Sequence, residues 1–165
     1  MIHVAPNSSA NPIDALALSE RFVLWNFRAW ACCCRGQRLP AEPVVSSFAR
    51  VGAPEAASAL DTAMTRLVLA TARPIAVSCP PCQGLSEDER RLVAATAAAQ
   101  RHDRGEIDRL FADLLPAPAA ATVSRALVDL GGALAMVGIL LPQPGPEAPM
   151  AISDGWPAFT PATLH

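Results

Sequence analysis

Residues 11–36 read NPIDALALSERFVLWNFRAWACCCRG, and the reading of this stretch decides the fold. Asn11 is a good N-cap, and Pro12 suits the first helical position, where its missing N–H costs nothing. No further proline or glycine occurs until Gly36, a natural C-terminal stop. Between them Leu16, Val23, Phe27, Trp30 and Cys34 recur at helical spacing and form one apolar stripe. Asp14, Arg21, Arg28 and Arg35 fall seven apart on a separate polar line. The pattern predicts an amphipathic helix over 12–35, with one face buried and the other solvated.

The same punctuation continues along the chain. A short helical piece is expected around 44–50. A longer one over 55–72 carries Leu60, Met64, Leu67 and Val68 on one face and ends at Arg73-Pro74, because the residue before proline avoids the α region. Ile75-Ala76-Val77 is short, apolar and extended. Ser86 and Glu89 then stand at capping-box spacing, and Glu87, Asp88 and Glu89 suit the positive end of a helix dipole; this role accounts for all three acids. That helix runs to about His102. A shorter one carries Ile107, Leu110, Phe111 and Leu114, and a last one carries Val123, Leu127, Leu130, Leu134 and Val137, with Gly138 as its stop.

The fold class expected is therefore all-α, a five- or six-helix orthogonal bundle. One minimal two-stranded β pairing, 75–77 with 139–141, is conceivable because each segment is short, apolar and preceded by a helix. The domain spans 12–141. Residues 1–11 read as a flexible lead, and 142–165, with six prolines, as a disordered tail.

Composition narrows the function. At 165 residues with 52% hydrophobic side chains, the chain can bury a core without staples. A net charge of −2 supplies no basic field, so no nucleic-acid partner is expected. The 103–105 turn resembles that of a helix-turn-helix, but the helix after it is net negative. All basic residues are arginine, which excludes Schiff-base and phosphate-loop lysine chemistry. The longest apolar run, 130–141, is 12 residues, against about 20 for a membrane span, so no membrane partner is expected either. The amino terminus lacks a charged start and an apolar run, which points to the cytoplasm and to reduced thiols.

The chemical feature is Cys79-Pro80-Pro81-Cys82. Its spacing fits a redox pair or half a zinc site. A thioredoxin-like site would need a helix starting at the first cysteine, whereas the cap falls at Ser86. A zinc site would need two more ligands, for which Cys33 and His102 are the best placed of Cys32, Cys33, Cys34 and His102. The plainer reading is that these cysteines are small buried apolar residues, with no metal and no cofactor. Trp25 lies between Arg21 and Arg28 at helical spacing, the make-up of a protein-partner surface. Ser86, Ser124 and His102 form no recognisable nucleophile arrangement, and no phosphate-loop lysine exists, so an enzyme is not the expectation. A non-enzymatic interaction or regulatory module is, with a zinc-binding or thiol-redox-sensing domain as the alternative.

Residues 73–82 and 85–89, RPIAVSCPPC and LSEDE, together resemble a family of small bacterial helical proteins of unknown function. These carry a cysteine-containing loop before a capped Asp-Glu helix. The resemblance covers roughly 13–141; it implies those domain limits and no activity.

Overall fold

The structure, a computed structural model, describes residues 2–3, 13–35 and 41–142. Six helices follow in order: α1 (Leu18–Arg35), α2 (Glu42–Arg50), α3 (Pro54–Ala70), α4 (Glu87–Gln100), α5 (Arg104–Leu110) and α6 (Ala117–Met136). The expected all-α bundle is what the chain forms. Proline opens α2, α3 and α6 in the first turn, and Ser86 and Asp103 cap α4 and α5 through side-chain oxygens. Gly138 follows α6 with φ +77°, a backbone setting that L side chains rarely adopt.

The first helix starts later than its proline implies. Ile13–Ala15 is a single 3-10 turn, and α1 proper begins at Leu18. Its start is satisfied from within, since the Ala17 N–H donates to Glu20 Oε2 at 2.8 Å. The caps expected at Asn11 and Gly36, and the segment 143–165, lie outside the described residues.

The strand pairing differs from the one expected. Strand β2 (Ile75–Ala76) pairs in parallel with β1 (Ile2–His3), in the register Ile2 to Ile75 and His3 to Ala76. So 139–141 is not the partner of 75–77, and the first residues are not wholly a free lead. A two-residue strand carries no periodicity to choose its partner. Beyond the Ile139 N–H bond back to the Leu134 carbonyl, 139–141 is held by one side-chain amide: Gln100 Nε2 donates to the Ile139 carbonyl at 2.7 Å, and the Leu141 N–H donates to Gln100 Oε1 at 2.9 Å. Gln100 thus supplies the two hydrogen bonds that a neighbouring strand would have given.

The core forms where α6 packs on α3 and on α4, with α1 set against α2, α4 and α3. Phe27, Trp30, Leu60, Leu67, Leu92, Leu130 and Leu134 are buried in it. By length and composition α6 is apolar enough to cross a membrane; here its Val123, Leu127, Leu130 and Leu134 are buried in the bundle. The helices α4 and α6 meet at Gly131, where a Cβ would lie 2.9 Å from the Gln100 backbone nitrogen. At Gly132 a Cβ would meet nothing within 4 Å.

The neighbouring glycines should therefore respond in opposite directions. Gly131→Ala pushes α6 off α4 and should cost about 1–3 kcal/mol. Gly132→Ala removes the backbone freedom of a mid-helix glycine and should gain about 0.5–1 kcal/mol. Denaturant unfolding of the two variants checks both signs.

Candidate functional site

Asn26 and Arg28 are the only strongly polar residues between Phe22 and Cys34, and both are buried. The surroundings of Arg28 explain how a cation stays inside: its side chain is 1% exposed and that of Glu89, in the first turn of α4, is fully buried. Arg28 Nε donates to Glu89 Oε1 at 2.7 Å and Nη2 to Oε2 at 3.0 Å, a two-pronged ion pair. The remaining N–H groups turn to the loop between β2 and α4. Nη1 donates to the carbonyls of Cys82 (2.5 Å) and Cys79 (3.4 Å), and Nη2 to that of Gly84 (2.6 Å). All five guanidinium donors are used.

Glu89 is filled as completely. The Ser78 N–H donates to Oε1 and the Ser86 N–H to Oε2, each at 2.8 Å, while the Ser86 hydroxyl oxygen accepts from the Glu89 N–H at 3.1 Å. The last two bonds form the capping box expected from the spacing. Dipole placement alone therefore does not explain the acidic run. Glu89 holds Arg28, and Asp88 holds Arg73, with bonds of 2.7 and 2.9 Å, and the Ala76 N–H at 2.8 Å. Glu87 does stay outside, paired with Arg90 and Arg91.

The loop over this polar centre carries the cysteines. Cys79 and Cys82 are joined in a disulfide, their α-carbons 5.4 Å apart, and the Cys82 N–H donates to the Cys79 carbonyl. Neither is the reduced, fully buried residue expected; both are half-buried. His102 is exposed, in the turn after α4, with φ +56°. Cys33 is half-buried near the end of α1. Among the described residues no group of three or more His, Cys, Asp or Glu side chains is placed to hold a metal ion. The four candidate zinc ligands are thus not brought into one site, and two of them are spent on each other.

Of the three residues expected on a partner surface, Trp25 is exposed and Arg28 is buried. The seven-residue spacing that put Arg28 on a solvated line failed because α1 is buried nearly all round from Val23 to Ala31, with Trp25 the exception at 39% exposed. Arg21 is partly exposed but committed, donating to the carbonyls of Asp14 and Leu16. No arginine sandwich encloses Trp25. Instead Trp25 lines a groove between α1 and α2 with Phe22, Pro43, Ser47, Arg50 and Val51. Phe22 and Val51 also line an adjoining apolar depression with Leu18, Ile139 and Leu140. Leu18 is 84% exposed and Leu140 64%. Among the described residues Arg50 takes part in no ion pair. Sequence reasoning missed Leu18, Phe22, Arg50 and Leu140; the signal available was that Leu18, Trp25 and Cys32 lie seven apart outside the apolar stripe.

No family model, curated protein or solved structure matches the chain.

Two outcomes follow from the polar centre. Arg28→Met leaves Glu89 buried without its cation and should cost about 3–5 kcal/mol. Adding Glu89→Leu should not restore stability, as it often does for an isolated buried pair, because the carbonyls of Cys82 and Gly84 and the N–H groups of Ser78 and Ser86 stay unmatched. Urea unfolding of the single and double variants tests this. The second outcome concerns acid. Burial opposes ionisation of Asp88, but the hydrogen bond from Arg73, that from the Ala76 N–H and the Arg73 charge together outweigh it and hold the carboxyl below its ordinary value. Its stabilising contribution is complete above the unfolded value of about 3.9 and is lost as pH falls through the lower folded value. Asp88→Asn should therefore flatten the acid limb of the stability–pH curve while leaving its slope near neutrality unchanged.

Proposed function

We propose that this protein is a non-enzymatic interaction module that receives an acidic, amphipathic helix of a partner protein in the groove beside Trp25. The observation that carries the reading is the exposure of Leu18 and Trp25 on a helix otherwise buried through its middle. With Cys32, also exposed, they repeat every seven residues, the spacing along which a second helix lies against a first. The groove floor is apolar, and its one charged lining residue, Arg50, has no acidic partner among the described residues. An occupant with apolar residues at i, i+3 or i+4 and i+7, and a carboxylate facing Arg50, complements both features. A second copy of the chain fits less well, because the same face on that copy lines its groove with Arg50 and no Asp or Glu to meet it.

Selection of displayed helical peptides against the folded protein tests the reading. Enriched peptides should carry the apolar spacing with Asp or Glu. Trp25→Ala should weaken them by about 2 kcal/mol, roughly thirty-fold in Kd, and Arg50→Glu should shift the selection towards basic peptides. Peptides that bind the Trp25→Ala protein equally well would overturn the reading. So would sedimentation showing a dimer that Leu18→Glu dissociates, or a groove that binds peptide only once residues 143–165 are removed.

A further inference from the structure

We propose that Cys79–Cys82 is a reversible thiol–disulfide site, open to exchange with a dithiol while the bundle stays folded. The argument is independent of the groove and starts from what the bond contributes. It closes a ring of four residues, and a ring that short restricts the unfolded chain little, so the fold draws modest support from it. The loop is held from beneath. Arg28 binds the carbonyls of both cysteines and of Gly84, and Glu89 binds the N–H groups of Ser78 and Ser86, on either side of the pair. These bonds all go to main-chain atoms, and none requires the sulfurs to be joined. Opening the disulfide therefore leaves the loop anchored, with the thiols close enough to close again.

Access favours the same conclusion. Cys79, Pro80 and Cys82 are half-buried and Pro81 is exposed, so a reagent meets the pair at the surface without unfolding α1 or α4. Against this, the core beneath the loop is closed by Val77 and Leu85, both buried, which confines any movement to the loop itself.

The co-reactant is a dithiol, small or protein-borne. Its thiolate attacks one sulfur of the pair, forming a mixed disulfide and releasing the other cysteine as a thiolate, which takes up a proton. The second thiol of the reductant loses its proton and resolves the mixed disulfide. Cys79 and Cys82 end as thiols, the reductant ends as a disulfide, and two electrons and two protons have passed.

The test uses the full chain in graded mixtures of reduced and oxidised dithiothreitol without denaturant, with thiols trapped by alkylation and located by peptide mass. The expected result is a single two-electron transition at Cys79 and Cys82, unchanged helical circular dichroism, and re-formation of the bond when reductant is removed. On reduction, the amides of Ser78 and Ser86, held by Glu89, should keep their protection from exchange, as should those of α3 and α6. Reduction that proceeds only in denaturant would show a structural crosslink and overturn the proposal. So would a pair that stays reduced in oxidised buffer, or loss of protection at Ser78 and Ser86 on reduction. Cys79→Ser/Cys82→Ser must fold with native helicity, since it mimics the reduced state; loss of helicity in that variant overturns the proposal as well.

Discussion

The arrangement of this bundle depends on one buried ion pair, Arg28 to Glu89. Removing two such charges from water costs several kcal/mol for each, and their mutual attraction offsets that cost only when every remaining donor and acceptor is matched. Here they are matched: five guanidinium N–H groups have acceptors, and both carboxylate oxygens receive main-chain N–H groups as well as the cation. The pair therefore acts less as a source of stability than as a constraint on geometry. An apolar helix such as α1 could slide or rotate in its socket at modest cost, since hydrophobic contacts are not directional. Rotating Arg28 away from Glu89 would leave two buried charges unpaired and the carbonyls of Cys82 and Gly84 without their donor, while Glu89 holds the Ser78 and Ser86 N–H groups, which fixes the rotation of α1, the start of α4 and the path of the loop together.

How far this was legible in the sequence follows from the kind of signal each feature leaves. Caps and breaks are local, so α3 to α6 could be placed from Pro54, Ser86, Asp103 and Gly138. The packing of α1 was misjudged because seven-residue spacing among Asp14, Arg21, Arg28 and Arg35 imitates a solvated line. Yet FVLWNFRAWACCC, residues 22–34, has scarcely any polar face, and a helix without one is buried on most sides. A cation inside such a run must meet an anion. Of the three adjacent acids, only Glu89 stands at capping-box spacing from Ser86, where its carboxylate turns back towards the loop. Both halves of the pair were marked, but by signals 61 residues apart in the chain.

The groove was legible only at Trp25. Its other walls come from the end of α2 and from the segment after α6, and no periodicity within one element says which distant element will stand beside it. The same holds for 139–141, where the Ile139 carbonyl and the Leu141 N–H bond the side chain of Gln100, a donor and acceptor that pattern reading assigns to no strand. The cysteines are the intermediate case. A separation of three residues brings the sulfurs within reach, but whether they join depends on the loop path, and that path is set by Arg28.

Trp25 and Arg28 lie on the same turn of α1, about 4.5 Å apart along its axis. One opens on the groove and the other, about 60° round the helix, grips the cysteine loop, so α1 is fixed right beside the strip on which its apolar residues are displayed. A surface of this kind binds with little loss of freedom only if its backbone is already fixed, since ordering a mobile helix on binding would consume much of the contact energy. The fully matched polar centre supplies that fixity without covering the outer face, something a larger apolar core around α1 could do only by burying Trp25 as well.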